Sequence, residues 1–263
     1  MTTTIVFGMG PVALSAARAA ARVQFGEALG RALGRPVVVH AADSYSELAR
    51  WVQAGRVTLA WMPPALAVRA LDAGDATPLV ASVRRDGARF RGVLFVLDDS
   101  SIRDLAEARG RRVAWVDAES CSGYLFPRLA MRERGLSPAG FFRNERFAGS
   151  HNAVVRAVAL RKVEVGATFL DERPGGERRP GWTLEVDAAV MRPLLVTDFI
   201  PADVVSAIRE ADPQLVRDAG AALRSMHEEP EAAASIATVF GAHRFEPADP
   251  EALAPVRRAL ETA

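Results

Sequence analysis

An alternation of strand and helix patterns in the first 62 residues constrains the fold more than any other feature of this chain. Hydrophobic spacing predicts strands over 3–7, 36–41 and 57–62, and helices over 12–33 and 44–54 between them. A glycine follows each of the two helices, as is typical of a C-cap. The order βαβαβ predicts a parallel sheet with helices packed against it.

The remainder of the chain repeats this alternation and then becomes helical. We predict further strands over 92–97, 112–116, 142–147, 163–169 and 192–200. We predict helices over 101–108, after residue 123 to about 134, and over 150–160, 202–211, 213–227 and 231–239, with a last helix after Pro250. A polar loop is expected over 171–181. The middle third is therefore a second α/β unit, and the strand over 192–200 is expected to return toward the first.

These patterns predict two α/β lobes. Lobe I is expected to be discontinuous, with residues 1–88 and 194–263, and lobe II to comprise residues 89–193. Two crossings of the chain between lobes are typical of hinged proteins that close on a ligand. The ligand is expected at the carboxyl ends of the strands.

Composition and charge exclude several classes of function. The chain has 263 residues, a net charge of +1 and interspersed charges, so it has no basic stripe that would bind nucleic acid. No segment approaches the ~18 apolar residues of a membrane span. A single cysteine, Cys121, allows no internal disulfide, and no Cys/His spacing predicts a metal site. We therefore expect no metal, no cofactor, no nucleic-acid partner and no membrane insertion.

The first residues enter a predicted strand directly, without the charged and apolar regions of a signal peptide. Two localisations therefore remain open. The protein is expected to be periplasmic or extracellular if a signal has been removed, and cytoplasmic if Met1 is the native start.

Two polar turns stand between a predicted strand and a predicted helix. The first is Ser120–Gly123 and the second is Ser150–Asn152. A helix N-terminus carries a positive partial charge and unpaired N–H groups, which makes it suited to anions. A protonated His151 could add a charge. Two such turns in successive βα units predict a pocket for a small oxyanion.

Together with the segments 43–48, 55–61, 127–128, 149–153 and 244–247, these turns resemble the phosphate/phosphite/phosphonate substrate-binding proteins of ABC transporters. The resemblance covers nearly the whole chain in the expected order. It implies the α/β, two-lobed type II periplasmic-binding-protein fold, in which each lobe is a mostly parallel sheet flanked by helices and the ligand cleft lies between the lobes.

The resemblance also implies a set of ligand-binding residues. Tyr45 matches a tyrosine that contacts the phosphonate-type ligand, and residues 120–122 match a Ser-Thr-Ser-like run that holds the oxyanion. His151 matches the histidine of a Ser-His-Asp-like segment. The complete expected set is Tyr45, Phe90, Ser120, Cys121, Ser122, Gly123, Ser150, His151 and Asp198.

The chain departs from the family pattern at three places. Cys121 replaces a hydroxyl, Asn152 replaces an acidic residue, and Phe90 replaces a tyrosine that touches ligand in some members. Asp198, with Asp171 and Glu172, is a candidate partner for an amino group of the ligand. These departures bear on ligand identity more than on fold.

Structural roles compete with each functional one. For Ser120, Ser122 and Gly123 the structural alternative is helix capping without ligand contact. For Tyr45 it is a half-buried aromatic residue without ligand contact. Cys121 could line the turn or, with His151 as its base, act as a nucleophile. The segment 8–13 matches a dinucleotide-binding pattern only loosely, so that site is not expected.

The sequence therefore predicts a non-enzymatic solute-binding protein for a small phosphorus oxyanion or organophosphonate. If an export signal has been removed, its partner is expected to be an ABC permease. An intracellular sensor of the same fold with a signalling partner, an enzyme on this scaffold, and the effector domain of a longer transcription regulator are the alternatives.

Overall fold

A computed structural model describes residues 4–11, 15–84 and 89–261 of the chain. Its strands are β1 (Ile5–Met9), β2 (Val37–Ala41), β3 (Leu59–Met62), β4 (Ala76–Val83), β5 (Arg89–Leu97), β6 (Arg112–Trp115), β7 (Asn144–Phe147), β8 (Val165–Glu172), β9 (Arg178–Pro180), β10 (Met191–Ile200), β11 (Val204–Ile208) and β12 (Arg244–Pro247). Its α-helices are α1 (Ala16–Leu33), α2 (Tyr45–Gln53), α3 (Pro64–Asp72), α4 (Phe126–Glu133), α5 (His151–Ala159), α6 (Pro213–Ser225), α7 (Pro230–Phe240) and α8 (Ala254–Leu260). None of the helices in these described ranges is both long and apolar enough to traverse a bilayer.

The chain divides into two compact units. Unit 1 comprises Met1–Arg85 and Ala202–Leu253, and unit 2 comprises Asp86–Pro201 and Ala254–Ala263. These boundaries differ from the predicted lobes at three places, the first of which, residues 86–88, lies outside the described ranges. Residues 194–201 lie in unit 2 because β10 pairs with β5, and residues 254–263 lie there because α8 packs on α4. The chain therefore passes between units three times, where the sequence indicated two crossings.

Unit 1 is built on a six-stranded sheet of order β12-β4-β11-β3-β1-β2. The predicted βαβαβ order is confirmed, since β1 pairs in parallel with both β2 and β3. The rings of Phe7, Phe25 and Phe240 pack edge to face or tilted over this sheet, with centroids 4.8 to 6.1 Å apart. Such aromatic contacts add to the burial that holds α1 and α7 on the strands.

Unit 2 is built on a second sheet of order β10-β5-β8-β6-β7, and β9 pairs with β8 beside that path. Here β6 pairs in parallel with β7 and β8. Buried residues cover both faces of the sheet, one cluster around Trp115 and Phe141 and the other around Phe95 and Val158. The predicted second α/β unit is thus confirmed, with its core on both sides of the strands.

The expectation of mostly parallel sheets is wrong in detail, because both sheets are mixed. Among the described strands of each unit, only the central one, β1 or β6, has parallel neighbours on both sides, and the remaining described pairs are antiparallel. Antiparallel pairing arises where strands enter a sheet without a βαβ crossover.

Residues 202–211 form no helix, which corrects the sequence prediction. This segment holds β11, whose five residues are all buried between β3 and β4. A short apolar run does not reveal its own periodicity, and here the β-branched valines suit the centre of a sheet. The helices predicted over 213–227 and 231–239 are confirmed as α6 and α7.

Three smaller points complete the comparison of the predicted elements with the structure. The loop predicted over 171–181 contains a hairpin, because β8 extends to Glu172 and β9 returns after Gly175 and Gly176 at positive φ. The sequence prediction left α3, β4 and β12 unassigned. The described part of the first strand and helix begins at Ile5 and Ala16, and residues 3 and 12–14 of those predictions lie outside the described ranges.

Candidate functional site

Two polar turns follow neighbouring strands of unit 2, as the sequence predicted. After β6, a π-helical turn over Cys121–Leu125 leads into α4, and after β7 the chain enters α5. Because β6 and β7 are parallel, both turns lie at the same edge of the sheet. The Ser120 hydroxyl accepts the Gly123 N–H at 3.0 Å, and the Ser150 hydroxyl accepts the Ala153 N–H at 3.2 Å.

Val116 connects the two turns. Its N–H donates to the Gly123 carbonyl at 3.2 Å, and its own carbonyl accepts the Gly149 N–H at 2.9 Å. A Cβ at Gly123 would lie 2.3 Å from Val116 Cγ2, so only glycine allows this approach. The segment that holds Ser120 and the segment that holds Ser150 are therefore fixed side by side.

Ser122 carries a buried hydroxyl and is a candidate ligand donor. The residue is only 6% exposed, and within the described ranges its hydroxyl makes no hydrogen bond. The hydroxyls of Ser120 and Ser150 already cap helices, so their structural role is the one observed. π-Helical turns occur frequently at functional sites.

His151 is the first residue of α5 and is partly buried. Its Nδ1 lies 2.9 Å from the Thr168 Oγ1, and its ring packs edge to face on Phe169 with centroids 5.1 Å apart. Burial lowers the pKa of His151 to about 4. The imidazole is therefore neutral near pH 7, which corrects the sequence-based expectation of a protonated donor.

Asn152 occupies the position where the family resemblance led us to expect an acidic residue. Its Nδ2 donates to Glu185 Oε1 at 2.6 Å, and Glu185 also pairs with Arg156 at 3.7 Å. The amide thus forms part of a polar network on α5.

Tyr45 lies in unit 1, at the first position of α2 and at the carboxyl end of β1. Ser44 caps this helix by accepting the Glu47 N–H at 3.1 Å. A Cβ at Gly10 would lie 2.6 Å from the Tyr45 Cε1, so the partly buried ring packs directly on the glycine backbone. Packing therefore accounts for Gly10, which the loose dinucleotide pattern had included.

The remaining candidates are scattered over unit 2. Cys121 is buried at the start of the π-helical turn, and Phe90 lies in β5 opposite Ile200 and Asp171. Asp198 is exposed on β10. It lines a cavity of about 70 Å³ with Glu133 and Arg258, among others, and none of the polar-turn residues in the described ranges lines that cavity.

Sequence reasoning missed three residues that support the site. Thr168 contacts His151, while the Thr197 hydroxyl accepts the Gly92 N–H at 2.8 Å. A Cβ at Gly92 would lie 2.8 Å from the Ser122 carbonyl oxygen, so the lack of a side chain at this position leaves room for the turn that contains Ser122. The only signal in the sequence was a single hydroxyl within each apolar strand, which does not indicate a partner.

Comparison with known proteins identifies the family. A family model described as "ABC transporter, phosphonate, periplasmic substrate-binding protein" matches residues 7–253. The phosphate-import protein PhnD of Mycolicibacterium smegmatis is 28% identical over 151 residues, which span 54% of this chain and 47% of that protein.

Solved structures match over almost the full chain. XAC2383 from Xanthomonas citri, solved with ATP bound, is 21% identical, covers 99% of both chains and gives a TM-score of 0.79. PhnD1 from Prochlorococcus marinus, solved with methylphosphonate, is 15% identical, covers 97% of this chain and 96% of its own, and gives a TM-score of 0.77. At these identities the likeness concerns the fold, and it confirms the α/β architecture expected of a type II periplasmic binding protein.

Proposed function

The chain belongs to the family of periplasmic substrate-binding proteins of phosphonate ABC transporters, and we propose that it binds a small phosphorus oxyanion or organophosphonate. The observation that carries the proposal is the convergence of two helix N-termini on Val116. Backbone N–H groups at a helix start, together with nearby hydroxyls, suit a phosphoryl group. The PhnD relative is named for phosphate import, and one structural neighbour holds methylphosphonate.

Ser122 and His151 are the proposed donors of unit 2. The Ser122 hydroxyl has no other partner among the described residues, and a neutral His151 offers an N–H in place of a charge. Hydrogen bonds to an ionised oxyanion are about twice as strong as neutral ones. Ser120, Gly123 and Ser150 shape the turns that present these groups.

Three further residues have smaller proposed roles. Tyr45 would present its ring and hydroxyl from unit 1, and Phe90 would contribute an apolar surface in place of a phenol. Asp198 is exposed beside Arg258, so we assign it to an amino group of the ligand only if an aminoalkyl phosphonate proves to bind. Cys121 would act as a small buried residue of the turn.

We propose that the protein binds its ligand without catalysing a reaction. An enzyme on this scaffold would need a base for the Cys121 thiol, whose ordinary pKa is about 8.5. With a pKa of about 4, His151 is too weak a base for that step. Cys121→Ser is therefore expected to keep ligand affinity within a few fold, and a hydrolytic activity lost in this variant would contradict the proposal.

We propose that the protein delivers its ligand to a membrane permease. The alternative is an intracellular sensor with a signalling partner. In either case ligand binding is expected to change the arrangement of the two units, the kind of motion that this architecture supports. Small-angle scattering with and without ligand measures that change, and an unaltered radius of gyration would contradict it.

Thermal-shift measurement tests the ligand class. Phosphate, phosphite, methylphosphonate, 2-aminoethylphosphonate and ATP form the panel, with sulfate as the control anion. A ligand at ~100 times its Kd adds ~2.7 kcal/mol to the free energy of unfolding. A shift with a phosphorus compound and none with sulfate is expected, and the absence of any shift would refute the proposed function.

A further inference from the structure

A fully buried hydroxyl lies beneath the candidate ligand donor of unit 2. Thr168 belongs to β8 and has no exposed surface, and its Oγ1 lies 2.9 Å from His151 Nδ1. The distance is that of a hydrogen bond, but either atom could donate. Which atom donates decides whether the other ring nitrogen, Nε2, carries a proton.

The buried position of Thr168 settles the direction of this bond. If the hydroxyl accepted a proton from Nδ1, it would have to send its own proton to another acceptor. In the described part of the chain, the imidazole is the only hydrogen-bond partner of this hydroxyl. A buried donor without an acceptor is strongly disfavoured, so the hydroxyl donates to Nδ1.

We propose that Thr168 is a positioning residue that holds His151 in the neutral tautomer protonated at Nε2. The imidazole then presents an N–H donor at the start of α5, beside the turn that carries Ser122. That this N–H meets a phosphoryl oxygen rests on the proposed function. The tautomer itself does not depend on any ligand.

Close packing around Thr168 supports the assignment. A Cβ at Gly181 would lie 2.4 Å from the Thr168 Oγ1 and 2.9 Å from the Phe169 ring, so the backbone of residue 181 closes over both. Phe169 in turn holds the imidazole edge to face. The hydroxyl and the ring therefore have little freedom to adopt another arrangement.

Burial keeps the imidazole neutral. The pKa of His151 is lowered by desolvation on burial, and within the described ranges no charged group contributes to the shift. The charged residues Arg156 and Glu185 pair with each other, and Glu172 on β8 pairs with Arg91 and Arg178. These charges are thus compensated locally.

The tautomer is measurable by nuclear magnetic resonance on the full chain with 15N-labelled histidine and no ligand. Long-range 1H–15N spectra at pH 7 are expected to show a protonated Nε2 and an unprotonated Nδ1 for His151, assigned with His151→Gln. Thr168→Val is expected to yield a mixture of tautomers, and Thr168→Ser to restore the single one. A protonated Nδ1 in the native chain, or an unchanged tautomer in folded Thr168→Val, would overturn the proposal.

Titration with methylphosphonate separates this inference from the proposed function. We expect Thr168→Val to weaken binding about 3- to 10-fold, because only the fraction of chains that holds the Nε2-protonated tautomer is then competent to bind, and Thr168→Ser to bind nearly as the native chain does. A native chain that shows the expected tautomer but binds no phosphorus compound would refute the proposed function and leave the role of Thr168 intact. If Thr168→Val fails to fold, the native spectrum decides alone.

Discussion

The two units place different side chains on the same local framework. In unit 1 the central parallel strand β1 lies between β2 and β3, and in unit 2 β6 lies between β7 and β8. The helix after the second strand of each set has nine residues and a serine N-cap, Ser44 or Ser150, with closely similar backbone angles. Its first residue is Tyr45 in unit 1 and His151 in unit 2.

The difference lies in what supports that first residue. The Tyr45 ring packs on Gly10, whereas the His151 ring bonds to the buried Thr168. The turn after β6 also carries the buried hydroxyls of Ser120 and Ser122, whereas the described part of the turn after β1 holds glycine and proline. The comparison teaches that buried hydroxyls and the imidazole are concentrated in unit 2, where we propose that the oxyanion binds, whereas the matching position of unit 1 carries an aromatic ring.

The largest expected effect tests how tightly each turn is packed. Gly123→Ala would place a Cβ 2.3 Å from the buried Val116 side chain, so we expect the free energy of unfolding to fall by about 2–3 kcal/mol. Gly10→Ala meets the Tyr45 ring at 2.6 Å, and that ring is only partly buried, so about 1 kcal/mol or less is expected. Urea unfolding measures both, and equal losses would contradict the distinction.

The next prediction tests whether unit 2 holds the anion. Ser122→Ala removes a buried hydroxyl that no described residue uses, so affinity for the phosphorus ligand is expected to fall by about 2 kcal/mol, roughly 30-fold. The free energy of unfolding should change little. Ser137→Ala, at a less buried serine in the same unit, is the matched control for calorimetric titration. Equal affinity of the two variants would remove Ser122 from the site.

Local sequence signals predicted the framework of both units. The serine caps at Ser44 and Ser150 and the turn at 120–123 were found because capping is decided by neighbours three residues apart. The strand β11 was missed since its five apolar or small residues carry no periodicity, and only its neighbours β3 and β4 show that it is central. Pairing with strands that are distant in the sequence therefore determines that this segment is a strand, which its composition alone does not predict.

The chemistry of the site was less accessible than its location. The sequence placed His151 at a helix start, but its neutrality depends on burial by Phe169 and on Thr168, 17 residues away. Gly92 and Thr197, which support the turn, are 105 residues apart in the chain. Contacts of this kind leave no spacing in the sequence, so the positions of the candidate donors at helix starts could be predicted, but not the contacts that set their protonation.

Stability in acid gives a further test of the comparison between the units. The first residue of the helix is a histidine in α5 of unit 2 and a tyrosine in α2 of unit 1. The pKa of His151 is about 4 in the folded chain, against 6.5 for an unperturbed histidine. The unfolded chain therefore binds more protons between these values, and stability present above pH 6.5 is lost as the pH falls toward 4. For this partly exposed group we expect about 1–2 kcal/mol.

His151→Gln is expected to abolish that part of the pH dependence. Urea unfolding of both chains at intervals from about pH 7 to about pH 4 gives the difference, in which the titration of other groups cancels. A difference that stays constant over this interval would show that the imidazole is not buried in the way described.

The smallest expected effect on the free energy of unfolding comes from Asp203 in unit 1. Its pH dependence has the opposite sign to that of His151. Burial raises the pKa of Asp203 from 3.8 to about 6, although the Arg84 guanidinium acts in the other direction. The folded chain therefore holds more protons than the unfolded chain between about pH 4 and pH 6, and stability falls as the pH rises through this window. Asp203→Asn removes the ionisation but also the attraction to Arg84, so we expect a gain of only about 1 kcal/mol at pH 7 that vanishes near pH 4. Urea unfolding across this range checks it, and an Asn variant that is less stable at pH 7 than at pH 4, relative to the native chain, would show that pairing with Arg84 outweighs burial.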